Sequence, residues 1–346
     1  MAEEFRFQSP ACADIGSPLY AELCLVCAHD IERLGPVWQA ISGHAHLRFG
    51  LALPLRFLAA VHRLALNGAA PRLATHYPSC GGLPTSGLAD DFLHCVTANK
   101  ARITSELDWG VQTNEVVRTA ALYPGLGHIA ALTGKPISLR EIGTSAGLNL
   151  RLERFRYAQG AWSIGDPQGS VAISDRWGDR TPPSLDAPIV DRAGCDPNPI
   201  DPTTGDGAIH LLGFLWPDQM DRRVRSVGAI ELARDISARI DASPALPWLQ
   251  HKLAHRTPGA VTVIMHSIVW QYIDKAERAD VTALIESVGA TANADSPLAW
   301  LSFEPHEPDR AHAALTMRLW EGDRHAGVPV VLAECGFHGQ WVRWLA

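Results

Sequence analysis

The sequence predicts an α/β protein: a mostly parallel sheet with helices on both faces, preceded by an N-terminal helical domain. Three observations carry this. The first hundred or so of the 346 residues show apolar positions at helical spacing, punctuated by Pro and Gly. From residue 136 onward, short β-prone runs alternate with helical stretches, as strands joined by crossover helices do. Between the two regions, Pro136–Leu150 reads as a strand, a tight turn and a helix start.

The helical part begins with Ser17-Pro18, Ser as cap and Pro in the first helical position. Leu19, Leu23, Cys27, Ile31 and Leu34 follow at helical spacing until Gly35-Pro36. A second helix follows Pro54, with Leu55, Leu58, Val61, His62 and Ala65 on one side and Asn67-Gly68 as terminator. The composition of residues 76–86 marks a break, and a third helix is expected from Asp91 to Leu107. Domain boundaries are placed at 1–110 and 111–346, with an insertion around 156–188 of one or two short strands, a lid being one reading of it. Strands are expected at Ile137–Ile142, Ile189–Gly194, Ala260–Val269, Pro297–Phe303, Leu315–Leu319 and Val328–Ala333, with the last two as an antiparallel pair. Helical stretches are expected at Leu211–Arg239 and Asp280–Val288.

Composition narrows the function classes. Net charge is −7 and no basic cluster occurs, so nucleic acid is a poor partner. No apolar run reaches the roughly 18 residues of a membrane span, and the acidic N-terminus has no apolar signal core, so a cytoplasmic protein acting on a small molecule is expected. The seven cysteines have no framework spacing and are read as reduced thiols. Cys24 and Cys27 fall within an amphipathic helix, as core residues would. His44/His46 and Glu304/His306/His312 lack a recognisable metal-ligand pattern, so no metal is expected. Oligomeric state is left open.

Glu141 closes the first strand two residues before Gly143. A carboxylate there suits a ligand with positive charge or donor groups and repels a phosphate, which disfavours a nicotinamide dinucleotide.

The motifs Gly16-Ser-Pro-Leu-Tyr20, Gln112-Thr-Asn-Glu115, Glu141-Ile-Gly-Thr-Ser-Ala-Gly-Leu-Asn-Leu150, Arg192-Ala-Gly-Cys-Asp196, Trp216-Pro-Asp-Gln219, His266-Ser-Ile-Val-Trp-Gln-Tyr272 and His338-Gly-Gln-Trp341 span the chain. Through them it resembles a bacterial family catalogued as domain of unknown function 2332. More loosely, from about residue 110 the order of elements resembles class I S-adenosylmethionine-dependent methyltransferases. That second resemblance implies a Rossmann-like, methyltransferase-like sheet and S-adenosylmethionine as cofactor. It puts Glu141, Gly143, Ser145 and Gly147 around the cofactor, Asp196 on the ribose hydroxyls, Asp241 beside the adenine, and chemistry at the end of the fourth strand, where His266 stands. The chain departs from the pattern at Ser145, which replaces the middle glycine. The distance from Gly147 to Asp196 also exceeds the ~20 residues of a dinucleotide-type unit, so the insertion must loop out, and Asp166 competes for the ribose role.

His266, with Tyr272 and Trp270, can line an acceptor pocket and take a proton; the competing reading is a histidine satisfied at the sheet rim. Gln112, Asn114 and Glu115 precede the first strand and serve either the acceptor pocket or as a helix cap, Thr113 or Asn114 filling that role. Trp216-Pro-Asp-Gln219 reads as a turn or helix-start device. Gly143-Thr-Ser-Ala-Gly147 also spells the Gly-x-Ser-x-Gly elbow, so a serine hydrolase using Ser145 and His338 is the alternative. A ligand-binding protein without turnover is the third.

Overall fold

The computed structural model describes residues 1–47, 52–306 and 311–346. It divides into two compact units, Met1–Thr113 with Pro202–Ser226, and Asn114–Asp201 with Val227–Ala346. The return of 202–226 to the first unit has no counterpart in the sequence reading.

The first unit is helical. Its second helix, Pro18–Glu32, starts as expected: the Ser17 hydroxyl oxygen accepts from the Tyr20 N–H at 3.2 Å, and Pro18 occupies the first turn. The helix Leu53–Leu66 ends at Asn67. The helix expected over 91–107 is instead two, Leu88–Ala98 and Lys100–Glu106. Asn99 breaks it, with φ −118° and a side chain that donates back to the Cys95 carbonyl at 3.0 Å. Phe5, Phe57 and Phe92 meet edge to face in the core, where Cys24 and Cys27 are buried. Residues 202–226 contribute the helix Gly205–Gly213 and a tie to the start of the chain. Asp218 accepts from the Ser17 hydroxyl and from the Leu19 N–H (3.0 Å), and the Gln219 amide donates to the Ile15 carbonyl at 2.8 Å. The turn motif at Trp216 thus caps a helix some two hundred residues earlier in the chain.

The second unit holds the sheets. In chain order its strands are β1 (Ile137–Ile142), β2 (Arg156–Gln159), β3 (Trp162–Gly165), β4 (Ala172–Ser174), β5 (Ile189–Asp196), β6 (Arg239–Ala242), β7 (Val261–Ser267), β8 (Leu298–Pro305), β9 (Ala313–Trp320), β10 (Val330–Cys335) and β11 (Val342–Trp344). Eight form one sheet in the order β11-β10-β9-β8-β7-β1-β5-β6; β2, β3 and β4 form a small separate sheet within the expected insertion. β6, β5, β1, β7 and β8 run parallel, while β9, β10 and β11 complete the sheet as an antiparallel meander. The helical stretch expected over 211–239 is broken: helices cover Gly205–Gly213 and Met220–Asp235, and Arg239 already belongs to β6.

Alternation assigns each side chain to a face. Arg140, Ile142, Ala193, Cys195, Ile264 and His266 lie on one side, and the apolar members pack with Trp248 and Leu249 of the helix Ala245–Ala254 and with Val281 and Ile285 of Lys275–Gly289. Leu139, Glu141, Met265 and Leu301 lie on the other, which is covered by the helix Thr119–Thr133; a Cβ on its Gly125 would meet Leu301 and Leu315. Among the described residues no helix is long and apolar enough to cross a membrane. All seven cysteines are free thiols.

Candidate functional site

Strand order reverses at β1: the chain proceeds to β5 and β6 on one side and to β7 and β8 on the other. At such a reversal the loops leaving the strand ends diverge and open a crevice. The β1 bend stands there. Gly143 (φ +64°), Ser145 (φ +55°) and Gly147 (φ +68°) are all left-handed, the middle one despite its side chain.

The bend is tied to β5. The Thr144 N–H donates to the Cys195 carbonyl at 3.0 Å, and the Thr144 hydroxyl donates to Oε2 of Glu141. This contact is why residue 194 is glycine: a Cβ there would lie 2.6 Å from the Thr144 methyl. Asp196, one residue past the β1–β5 register, accepts from the Ser145 N–H (Oδ2, 3.0 Å) and the Asn198 N–H (Oδ1, 2.9 Å). Glu141 and Asp196 therefore share one face, with the bend between them.

Burial raises the Glu141 carboxyl to about 7; the Thr144 hydrogen bond and the charges of Arg151 and Arg118 oppose that rise, and Asp196 adds to it. Asn114 and Glu115 approach from before β1. Asn114 (φ +41°) accepts from the Leu148 N–H at 3.0 Å, securing the helical turn behind the bend, while Glu115 caps its own following turn through the Val117 N–H at 3.1 Å. The cap role expected of Thr113 or Asn114 is taken by Glu115, while Asn114 serves the turn after β1. Arg118 donates to the Ser267 carbonyl at 3.1 Å and the Phe337 carbonyl at 2.9 Å. Two buried polar atoms at the bend have no hydrogen-bond partner among the described residues, the Ser145 hydroxyl and Oδ1 of Asn149.

Three expected residues, His266, Asp241 and Asp166, stand apart from this group. His266 projects on the opposite face from Glu141, and both its ring nitrogens are occupied. Trp300 donates its indole N–H to Nε2 at 2.9 Å, and Nδ1 meets Oε1 of Glu304 at 2.6 Å. The rim-histidine reading describes this geometry, and no lone pair is open to an acceptor. Asp241 pairs in register with Cys195, so it too lies on His266's face. Burial raises its pKa, but hydrogen bonds from Arg239, Trp248 and Lys252 outweigh that and lower it to about 2. Its carboxylate is consumed by protein groups. Asp166 belongs to the turn after β3, where it accepts from the Gln168 N–H and pairs with Arg154 at 3.2 Å; of the two ribose candidates, Asp196 is the one beside the bend. Trp270 stacks on His266 (centroids 4.9 Å apart), Tyr272 is exposed, and Gln112, buried, belongs to the first unit.

For the elbow reading, Nδ1 of His338 lies 4.0 Å from Oε2 of Glu115, and among the described residues no base is hydrogen-bonded to the Ser145 hydroxyl. A close Ser–His pair does occur in the first unit, Ser79 with His62 at 2.7 Å. Both are buried, and burial pushes His62 down to about 3, a packing arrangement. Among the described residues no group of three His, Cys, Asp or Glu side chains is placed to hold a metal ion.

Sequence reasoning missed Thr144, Arg118, Trp300 and the structural part played by Glu304. Glu304 carried a usable signal: like Glu141 and Asp196, it is an acidic residue at the end of a strand in a largely buried sheet.

No curated protein and no solved structure matches the chain. A family model does, over residues 2–344, and so across every residue of the site just described: the chain belongs to the family described as an uncharacterized protein conserved in bacteria, DUF2332.

Proposed function

We propose that the β1 bend binds S-adenosylmethionine and that the protein transfers its methyl group to a small molecule. One observation carries the reading: Glu141 and Asp196, at the ends of adjacent parallel strands where the strand order reverses, face the same glycine-bounded bend. Two acidic groups there complement a ligand that carries a sulfonium, an ammonium and hydroxyls, and oppose a pyrophosphate. The order β6-β5-β1-β7-β8 also fits a methyltransferase-like, Rossmann-like sheet. In this reading Asp196 holds the ribose and Glu141 the amino group, with Gly143, Ser145 and Gly147 lining the approach. Asp241 would border the adenine only through its backbone, its carboxylate being spent. Methyl transfer from a sulfonium needs mainly in-line positioning. An acceptor that is already nucleophilic would be served without the captured His266.

Calorimetric titration with S-adenosylmethionine and with S-adenosylhomocysteine tests the proposal. Binding to the wild type, weakened at least about tenfold in Asp196→Asn, and release of label from methyl-labelled cofactor to a small-molecule extract, are expected. Absence of binding at millimolar ligand sinks it. Binding without transfer would leave a ligand-binding protein without turnover.

The left-handed Ser145 keeps the hydrolase reading as second. Fluorophosphonate labelling lost in Ser145→Ala would favour it.

A further inference from the structure

The loop that leaves β7 is held at one carboxylate oxygen. Oε1 of Glu304 accepts from His266 Nδ1 (2.6 Å) and from the backbone N–H groups of Val269 (3.0 Å) and Trp270 (3.3 Å), while Oε2, shut off from solvent, has no hydrogen-bond partner among the described residues. Register explains the convergence. Ser302 pairs with His266, so Trp300 and Glu304, two residues to either side of Ser302, project on His266's face and clasp the ring from both ends. Arg118 holds the start of the same loop at the Ser267 carbonyl. Between these anchors Ile268 sits at φ +51°, a conformation that a β-branched residue keeps only when its surroundings impose it.

The imposed shape determines where Val269 goes. Both of its γ-carbons lie 2.5 Å from the point where a Cβ on Gly143 would be, so the isopropyl group fills the space that the first glycine of the bend opens. The loop thus sets how much room remains beside Gly143.

We infer that Glu304 is a positioning residue: by gathering the β7 loop onto one oxygen it presses Val269 over Gly143, and Val269 in turn limits which ligand the β1 bend admits. The second half rests on reading that bend as a ligand site; the first does not.

Two measurements on the full chain separate them. In hydrogen exchange, Glu304→Ala should speed exchange of the peptide covering 267–273 by roughly tenfold or more, with little change elsewhere. Glu304→Gln, whose amide oxygen still accepts, should restore much of the protection. Unchanged exchange in Glu304→Ala overturns the positioning role. If that variant unfolds, Glu304→Met, close in length and without an accepting oxygen, decides: local acceleration at 267–273 supports the role and wild-type exchange overturns it. In calorimetry, Val269→Ala should bind S-adenosylhomocysteine about fivefold tighter than wild type, because no side chain must be displaced first, and Val269→Leu should bind more weakly. Equal affinities overturn the part given to Val269. If none of the three binds, that part falls together with the cofactor reading, and the exchange result still judges Glu304.

Discussion

The indole N–H of Trp300 donates to Nε2 of His266 at 2.9 Å. An indole nitrogen can only donate, so Nε2 must accept, and the ring's proton sits on Nδ1, facing Glu304. A histidine fixed in this way is a strut. Trp300→Phe keeps an aromatic ring, smaller by the pyrrole part, and deletes the donor, leaving a buried nitrogen without a partner. Stability in urea should fall by about 1–3 kcal/mol. An unchanged midpoint would show that this bond contributes nothing.

Glu141 gives a pH test. Its folded-state pKa, raised to about 7 by burial, lies above the ordinary carboxylate value. Between about pH 4.5 and 7 the folded protein therefore holds a proton that the unfolded chain has lost, and this group's contribution to stability declines as pH rises through that window. The span is on the order of 3 kcal/mol. Glu141→Gln should flatten that part of the stability–pH curve, and parallel curves for the two proteins would refute the assignment.

Ser145 is strained at φ +55°, and its buried hydroxyl has no partner among the described residues. Glycine adopts this backbone freely, so Ser145→Gly should raise the denaturation midpoint by the equivalent of about 1 kcal/mol. Loss of stability would mean that the side chain makes a contribution its geometry does not show.

The Gly194–Thr144 contact predicts non-additivity. Gly194→Ala alone pushes a methyl into Thr144 and should cost about 1–3 kcal/mol. Combined with Thr144→Ser, which removes the nearest methyl, the loss should be smaller than the sum of the two single changes. Strict additivity would place the strain elsewhere.

The β1 bend was legible because its cause is local: an apolar run, an acid and spaced glycines within ten residues. The strands β5, β7 and β8 were legible for the same reason. The fates of His266 and Asp241 were not, because they depend on register between strands and on partners such as Trp300 and Lys252 that sit 34 and 11 positions away. One residue of shift in register exchanges the two faces. A hydrophobic pattern that is continuous through a buried strand does not reveal which face a polar residue takes. The helix expected across 211–239 failed at Trp216-Pro217, where a turn that serves a distant helix outweighs the apolar periodicity around it.

The bond from Asp218 back to Ser17 and Leu19 has a consequence for biosynthesis. The N-terminal helices emerge from the ribosome first, yet the residues that finish their unit, 202–226, come only after β1 and β5 have been made. Cotranslational maturation of the leading segment must therefore wait for most of the polypeptide, and a nascent chain halted near residue 113 would expose the Ser17 hydroxyl, the Leu19 N–H and the Ile15 carbonyl that Asp218 and Gln219 later cover.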